Sequence, residues 1–200
     1  MDYPPPSSRP PHGSSHPRKP SPKRAASQTA ATLAGGPYDQ AVVDLLDQRI
    51  ALIDKHAPDR PADDRPQGPY SWTHGDLQYR NIIWIGEAIG AVIDWARIRV
   101  RPFAEEIART AAIQFATGDG LDLDRVAAFI TGNRSIVSIA PADLADGFHR
   151  LWWKRISDFW HLVYHYDRND HGCDDLFVSG EAFLRWWTSH RGEVTAVTYR

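Results

Sequence analysis

The feature that most constrains this chain is a pair of short β-rich runs, Ile82 to Ile85 and Ala91 to Ile93, with polar groups at their outer ends. A turn containing Gly86 and Gly90 separates them, so the spacing predicts a hairpin. A hairpin brings its two outer ends together. Asn81 and Asp94 are therefore predicted to be neighbours, offering a carboxamide and a carboxylate that can share a hard cation through oxygen ligands. Asp76 precedes Asn81 on the entering loop, where it can point into the same space without joining the strand.

Around this hairpin the pattern is mostly helical. Val42, Leu46, Ile50 and Ile53 recur at helical spacing and predict an amphipathic helix over 39–55, followed by a proline-rich loop from Pro58 to Pro69. Beyond the hairpin, Pro102 suits a first-turn position, and Phe103, Ile107, Ala111 and Phe115 continue as an i, i+4 stripe. A shorter helix is predicted from Asp122 to Ile130. A long one follows Pro141, with Leu144, Phe148, Leu151, Phe159 and Val163 on one side, and a last one runs from Asp174 to His190. The fold class is α+β, mainly α.

Residues 1–36 differ in kind. They hold eight of the 15 prolines and five basic residues against Asp2 alone, a net +4 that leaves −6 for the rest of a chain totalling −2. Such a segment cannot bury enough apolar surface to offset its ordering entropy, so it reads as a disordered Pro/Ser/Arg-rich arm. The near balance of charge argues against a nucleic-acid or membrane binder. The single cysteine, Cys173, forms no internal disulfide, and no apolar run is long enough to span a bilayer. A cytoplasmic location is the expectation.

The run His74-Gly75-Asp76 through Asn81, with Asp94 beyond the hairpin, has the spacing of a phosphoryl-transfer template. That chemistry needs oxygen ligands to clamp metal ions against phosphates and a further carboxylate to deprotonate the attacking hydroxyl. With Val92-Ile93-Asp94-Trp95, the run resembles the aminoglycoside phosphotransferase family, whose kinase-like fold is shared by choline and homoserine kinases. The resemblance is dense from Trp72 to Ala111 and consistent in helix order to Trp187, but leaves residues 1–36 out. It implies a kinase-type carboxy-terminal lobe over 37–193 with a tail at 194–200, and transfer of the ATP γ-phosphoryl group to a small-molecule hydroxyl. Position by position, it implies Asp76 as catalytic base, Asn81 and Asp94 as Mg2+ ligands, and His74 as a loop-fixing histidine. Glu106 stands where the family usually has a buried aspartate bracing the catalytic loop. Gly75 stands where protein kinases commonly place an arginine that answers to activation-loop phosphorylation, so regulation of that kind is not expected.

The same resemblance requires an amino-terminal lobe with a phosphate-covering hairpin and a strand lysine. The four lysines, Lys19, Lys23, Lys55 and Lys154, lie in the arm or on predicted helices. The expectation is a truncated copy without its ATP-covering lobe. Two other readings stand beside it: half of a split enzyme completed by a separate polypeptide, and a noncatalytic degenerate-kinase binding module. Loss of the lobe would leave apolar surface uncovered.

In this family the acceptor binds among the carboxy-terminal helices. Asp167, Asp170, Asp174 and Trp160 are the candidates here, suited to a cationic acceptor near an aromatic run that includes Trp152 and Tyr164. The bland alternatives are an aromatic core and a solvated acidic loop. His161, His165, His171 and Cys173 could gather a tetrahedral zinc ion, but they match no common zinc spacing, so surface histidines and a buried thiol are the plainer reading. Asp119, Asp122 and Asp124 lack the glycine and closing glutamate of a calcium loop and read as a helix start.

Overall fold

The computed structural model describes residues 35–62, 66, 68–118 and 120–200. Residues 1–34 of the arm, with Lys19 and Lys23, and Asp119 lie outside the described residues. The chain divides into two compact units: one holds Pro61–Leu151 and Ser189–Arg200, the other residues 35–60 and Trp152–Thr188.

The first unit is built on two antiparallel strand pairs. Strand β1 (Tyr70–Thr73) pairs with β4 (Arg99–Pro102), Tyr70 opposite Pro102 and Thr73 opposite Arg99. Between them, β2 (Ile82–Ile85) and β3 (Ala88–Val92) form the expected hairpin, Ile82 opposite Val92, with a bulge between Ile83 and Trp84. The turn is Gly86-Glu87, with Gly86 at φ 61°. Gly90, assigned from the sequence to the turn, lies within β3, which begins three residues earlier than predicted. A two-residue turn needs positive φ at its first position, which one glycine supplies. The β1–β4 pair has no counterpart in the sequence reading.

Helix α2 (Phe103–Gln114) follows β4 at once and buries Ala104, Ile107, Ala108 and Ala111. Helix α3 (Leu123–Arg134) is capped by Asp122, whose side chain accepts from Arg125 N, and it runs four residues past the predicted end. Helix α4 (Pro141–Ser157) starts in the first unit and ends in the second. At Gly147 it lies against α2 so closely that a Cβ would come within 2.7 Å of the Ala104 carbonyl oxygen. The predicted long helix stops at Ser157, because Asp158 turns its carboxylate onto Trp160 N (3.2 Å). Residues 194–200, expected as a tail, contribute to helix α6 (Arg191–Val197), which packs on α3 and buries Val194 and Val197.

The second unit centres on α1 (Pro37–Lys55). Val42 and Leu46 are fully buried with Leu162 and Phe177. The next position on that face is Arg49 rather than Ile50 or Ile53, which are only half-buried. Arg49 is buried against Glu181 on helix α5 (Asp174–Ser189), donates to the Arg155 carbonyl at 2.7 Å, and stacks over Phe159. Between α4 and α5 a short turn, Trp160–Leu162, runs into a π-helical segment, Val163–Asp167. No described helix is long and apolar enough to cross a membrane.

Candidate active site

The candidate residues lie between β1 and α2 of the first unit, on segments that side-chain-to-backbone bonds tie together. Thr73 closes β1 by donating its hydroxyl to the Arg99 carbonyl at 3.0 Å. His74, buried, works in two directions: the Asp76 N–H donates to Nδ1 (3.2 Å) and Nε2 lies 2.8 Å from the Ile93 carbonyl. Because Nδ1 accepts, the hydrogen sits on Nε2 and donates to Ile93, which fixes the neutral tautomer. One imidazole thus joins the loop carrying Asp76 to the strand end carrying Asp94. The Trp95 ring packs on His74 with centroids 4.7 Å apart.

Gly75 adopts φ 78°, and its N–H points at the Glu106 carboxylate, 3.1 Å from each oxygen. Glu106 is buried on the first turn of α2. Its extra methylene relative to aspartate is what lets the carboxylate reach the loop from that helix. Asn81, also buried, donates Nδ2 to the Asp76 carbonyl at 2.8 Å and accepts the Ile93 N–H on its own carbonyl at 2.9 Å. The hairpin therefore brings Asn81 beside Ile93 and Asp94 along the backbone, as the spacing predicts. Asp94 is exposed and left-handed, with φ 63° and ψ 58°, a conformation that asparagine and aspartate tolerate better than other side chains. With Nδ2 committed to the loop, Asn81 keeps Oδ1 as an oxygen donor, and Asp94 offers an exposed carboxylate; oxygen is the donor type that hard divalent cations take.

Asp76 itself makes an ion pair with Arg109 of α2 through Oδ1. Sequence reasoning missed Arg109. The available signal is its place three residues after Glu106, where a helix puts both side chains on one face. Beneath the loop lies a mainly apolar cavity of about 220 Å3, lined by Trp72, His74, Leu77, Trp95, Ile107 and Phe129 among others.

These arrangements accompany a clear sequence match. The model of the phosphotransferase enzyme family matches residues 2–138. The chain belongs to that family. Phosphotransferase family membership thus covers every residue from His74 to Arg109 described above, and both strand pairs. The match also takes in most of the arm, which the motif resemblance left out, and it ends before α4 begins at Pro141. Comparison with curated proteins returned no match. Comparison with solved structures returned none either.

The acceptor candidates belong to the second unit. Asp167 and Asp170 are exposed, and Asp170 accepts from Gly172 N at 3.0 Å. The Asp174 carboxylate faces His165 and His171 instead of open solvent. Trp160 stacks on His161 with centroids 3.7 Å apart, and Trp152 is core. The face of Tyr164 is covered by the Arg168 guanidinium at 4.4 Å, so that ring already holds a cation of its own. Burial lowers the pKa of His161 to about 4, which keeps the ring neutral.

Proposed function

We propose that this phosphotransferase-family chain carries the proton-accepting and metal-holding half of an ATP-dependent kinase for a small-molecule alcohol. A kinase-like fold is part of that reading. Asp76 takes the proton as the acceptor oxygen attacks the γ-phosphorus and the bond to the β-phosphate oxygen breaks, leaving ADP and a phosphate ester. Arg109 holds Asp76 Oδ1, which leaves Oδ2 for the hydroxyl. Asn81 and Asp94 would hold Mg2+, which neutralises phosphate charge when bound. His74 and Glu106 position the loop without touching substrate. The single observation that supports this reading is the His74 bridge from Asp76 N to the Ile93 carbonyl, which ties the loop carrying Asp76 to the residue before Asp94.

Elements that cover a nucleotide are not among the described residues: no described strand precedes β1, and Lys55 and Lys154 stand on helices. The hairpin is correspondingly open, with Ile85 72% and Ile89 58% exposed. In this reading a further lobe, on a longer chain or a separate one, completes the site. The acceptor class is an aminoglycoside, amino alcohol or homoserine-like hydroxyl.

The test measures ATP turnover across a panel of such acceptors, for this chain and for Asp76→Asn. Loss of roughly 10²–10⁴-fold in the variant supports the assignment, and turnover that survives it refutes the role of Asp76. If the chain alone is silent, Mn2+ binding followed by electron paramagnetic resonance is the second readout. Binding should fall in Asn81→Ala and Asp94→Ala, and binding indifferent to both removes the metal assignment.

A further inference from the structure

In the second unit, a different set of side chains converges. His165 comes from the π-helical segment, His171 from the turn that follows, and Asp174 from the first residue of α5. The turn is closed by the Asp170 N–H donating to the Tyr164 carbonyl at 3.0 Å and by Asn169 at φ 51°. His165 Nδ1 lies 2.9 Å from each Asp174 oxygen and 3.0 Å from His171 Nδ1, and His171 Nδ1 lies 3.4 Å from Asp174 Oδ2. Neither His161 nor Cys173 belongs to this cluster, although the sequence grouped both with it.

We propose that His165, His171 and Asp174 form a site for a divalent transition metal of the zinc class. Proton bookkeeping alone leaves the cluster poorly served. An imidazole Nδ1 carries one hydrogen or one lone pair, yet His165 Nδ1 faces two carboxylate oxygens and a second ring nitrogen at 2.9–3.0 Å. One cation between them accepts a lone pair from all three. The spacing fits: ligand bonds of about 2.0–2.1 Å put neighbouring donors about 2.9 Å apart at right angles and about 3.3 Å apart at tetrahedral angles. The edges found, 2.9, 3.0 and 3.4 Å, span that range. Two imidazole nitrogens select against Mg2+ and Ca2+, which prefer oxygen.

The surroundings support the same assignment. The far nitrogen of His165, Nε2, lies 3.9 Å from Asp39 Oδ1, outside hydrogen-bond range but close enough for the carboxylate to favour positive charge on the ring side of the site. Asp39 is fixed in turn by the Tyr166 hydroxyl and Gly36 N, each at 2.8 Å. The Tyr38 ring stacks on His165 with centroids 4.5 Å apart. The His171 side chain is 56% exposed, which leaves a path for the ion and a free position for water. Bound metal would clamp the Arg168–Cys173 turn between the π-helical segment and α5. Asp174 is then a metal ligand, not an acceptor contact.

The experiment titrates the full chain, purified without a histidine tag and stripped of metal, with Zn2+ by calorimetry and Co2+ by visible absorption. One site per chain with micromolar or tighter affinity is expected, weakened at least about tenfold in both His171→Ala and Asp174→Asn. Circular dichroism confirms that each variant folds, and the exposed His171 is the safer of the two. Asp76→Asn should bind as the unaltered chain does, so this result stands apart from the phosphotransfer test. Absence of a site in the folded chain overturns the proposal, as does affinity unchanged in His171→Ala. Affinity lost on replacing His12 and His16 with alanine also overturns it.

Discussion

Replacing Glu106 with aspartate keeps the charge and withdraws the carboxylate by one methylene, about 1.5 Å. Both Glu106 oxygens now lie 3.1 Å from Gly75 N, so the retreat takes them to about 4.6 Å, beyond hydrogen-bond range. Gly75 and Glu106 are both buried, so the change leaves an unsatisfied N–H and a carboxylate without its donor. The cost is about 2–3 kcal/mol. Glutamine at the same place loses the charge but keeps one acceptor at the right reach, for about 1 kcal/mol. The expected order of harm is therefore aspartate over glutamine, opposite to a ranking by charge. Because the chain has two compact units, hydrogen exchange at the Gly75 amide is a sharper assay than a global unfolding midpoint. Protection should fall roughly 30- to 160-fold in Glu106→Asp and roughly fivefold in Glu106→Gln. A Gly75 amide as protected in Glu106→Asp as in the parent, or less protected in Glu106→Gln than in Glu106→Asp, refutes the reasoning.

Two further outcomes concern the second unit. Glu181→Ala strands the buried Arg49 guanidinium and should cost about 3–5 kcal/mol in urea unfolding. Most of that should return in the double variant Arg49→Met/Glu181→Leu, and a double variant no better than the single one contradicts the account. His161 gives a pH signature. Its pKa falls from 6.5 to about 4 on folding because burial penalises the charged ring, and Arg49 and Arg155 add to that against the opposing pull of Asp158. Between those values only the unfolded chain binds the proton, so this contribution is intact above pH 6.5 and is lost as pH falls toward 4. The shift sets a ceiling of roughly 3 kcal/mol, and solvent screening of the partly open ring reduces it to about half. His161→Phe should flatten that segment of the stability–pH curve, and an unchanged slope would assign the sensitivity to another group.

The sequence carried the hairpin, the Asn81–Asp94 adjacency and the α2 stripe because each depends on residues close in the chain. Val92 and Ile93 advertise a strand, and Phe103, Ile107 and Ala111 repeat at helical period. The β1–β4 pair was illegible for the opposite reason. Its strands have four residues each, their partners are 26 apart or more, and Arg99-Val100-Arg101-Pro102 has no strong strand composition. The break at Ser157 was hidden by an apolar period that continues through Phe159 and Val163. The signal that wins is Asp158 capping the next turn. Arg49 defeats pattern reading altogether. A charge on an apolar stripe reads as outward unless its counter-charge is known, and Glu181 lies 132 residues away. Arg109 is the same case in the site, because only the folded loop brings Asp76 to it.

Gly75 has one more consequence, for what this loop can become. A Cβ there would sit 2.5 Å from the Arg97 carbonyl oxygen, and the backbone is already in a region that side-chain-bearing residues rarely adopt. An arginine at this position would need the Asp94–Arg97 turn to move as well, and with it the Ile93 carbonyl that anchors His74. Any side chain at position 75 therefore reaches, through that turn, the anchor that holds the Asp76 loop in place.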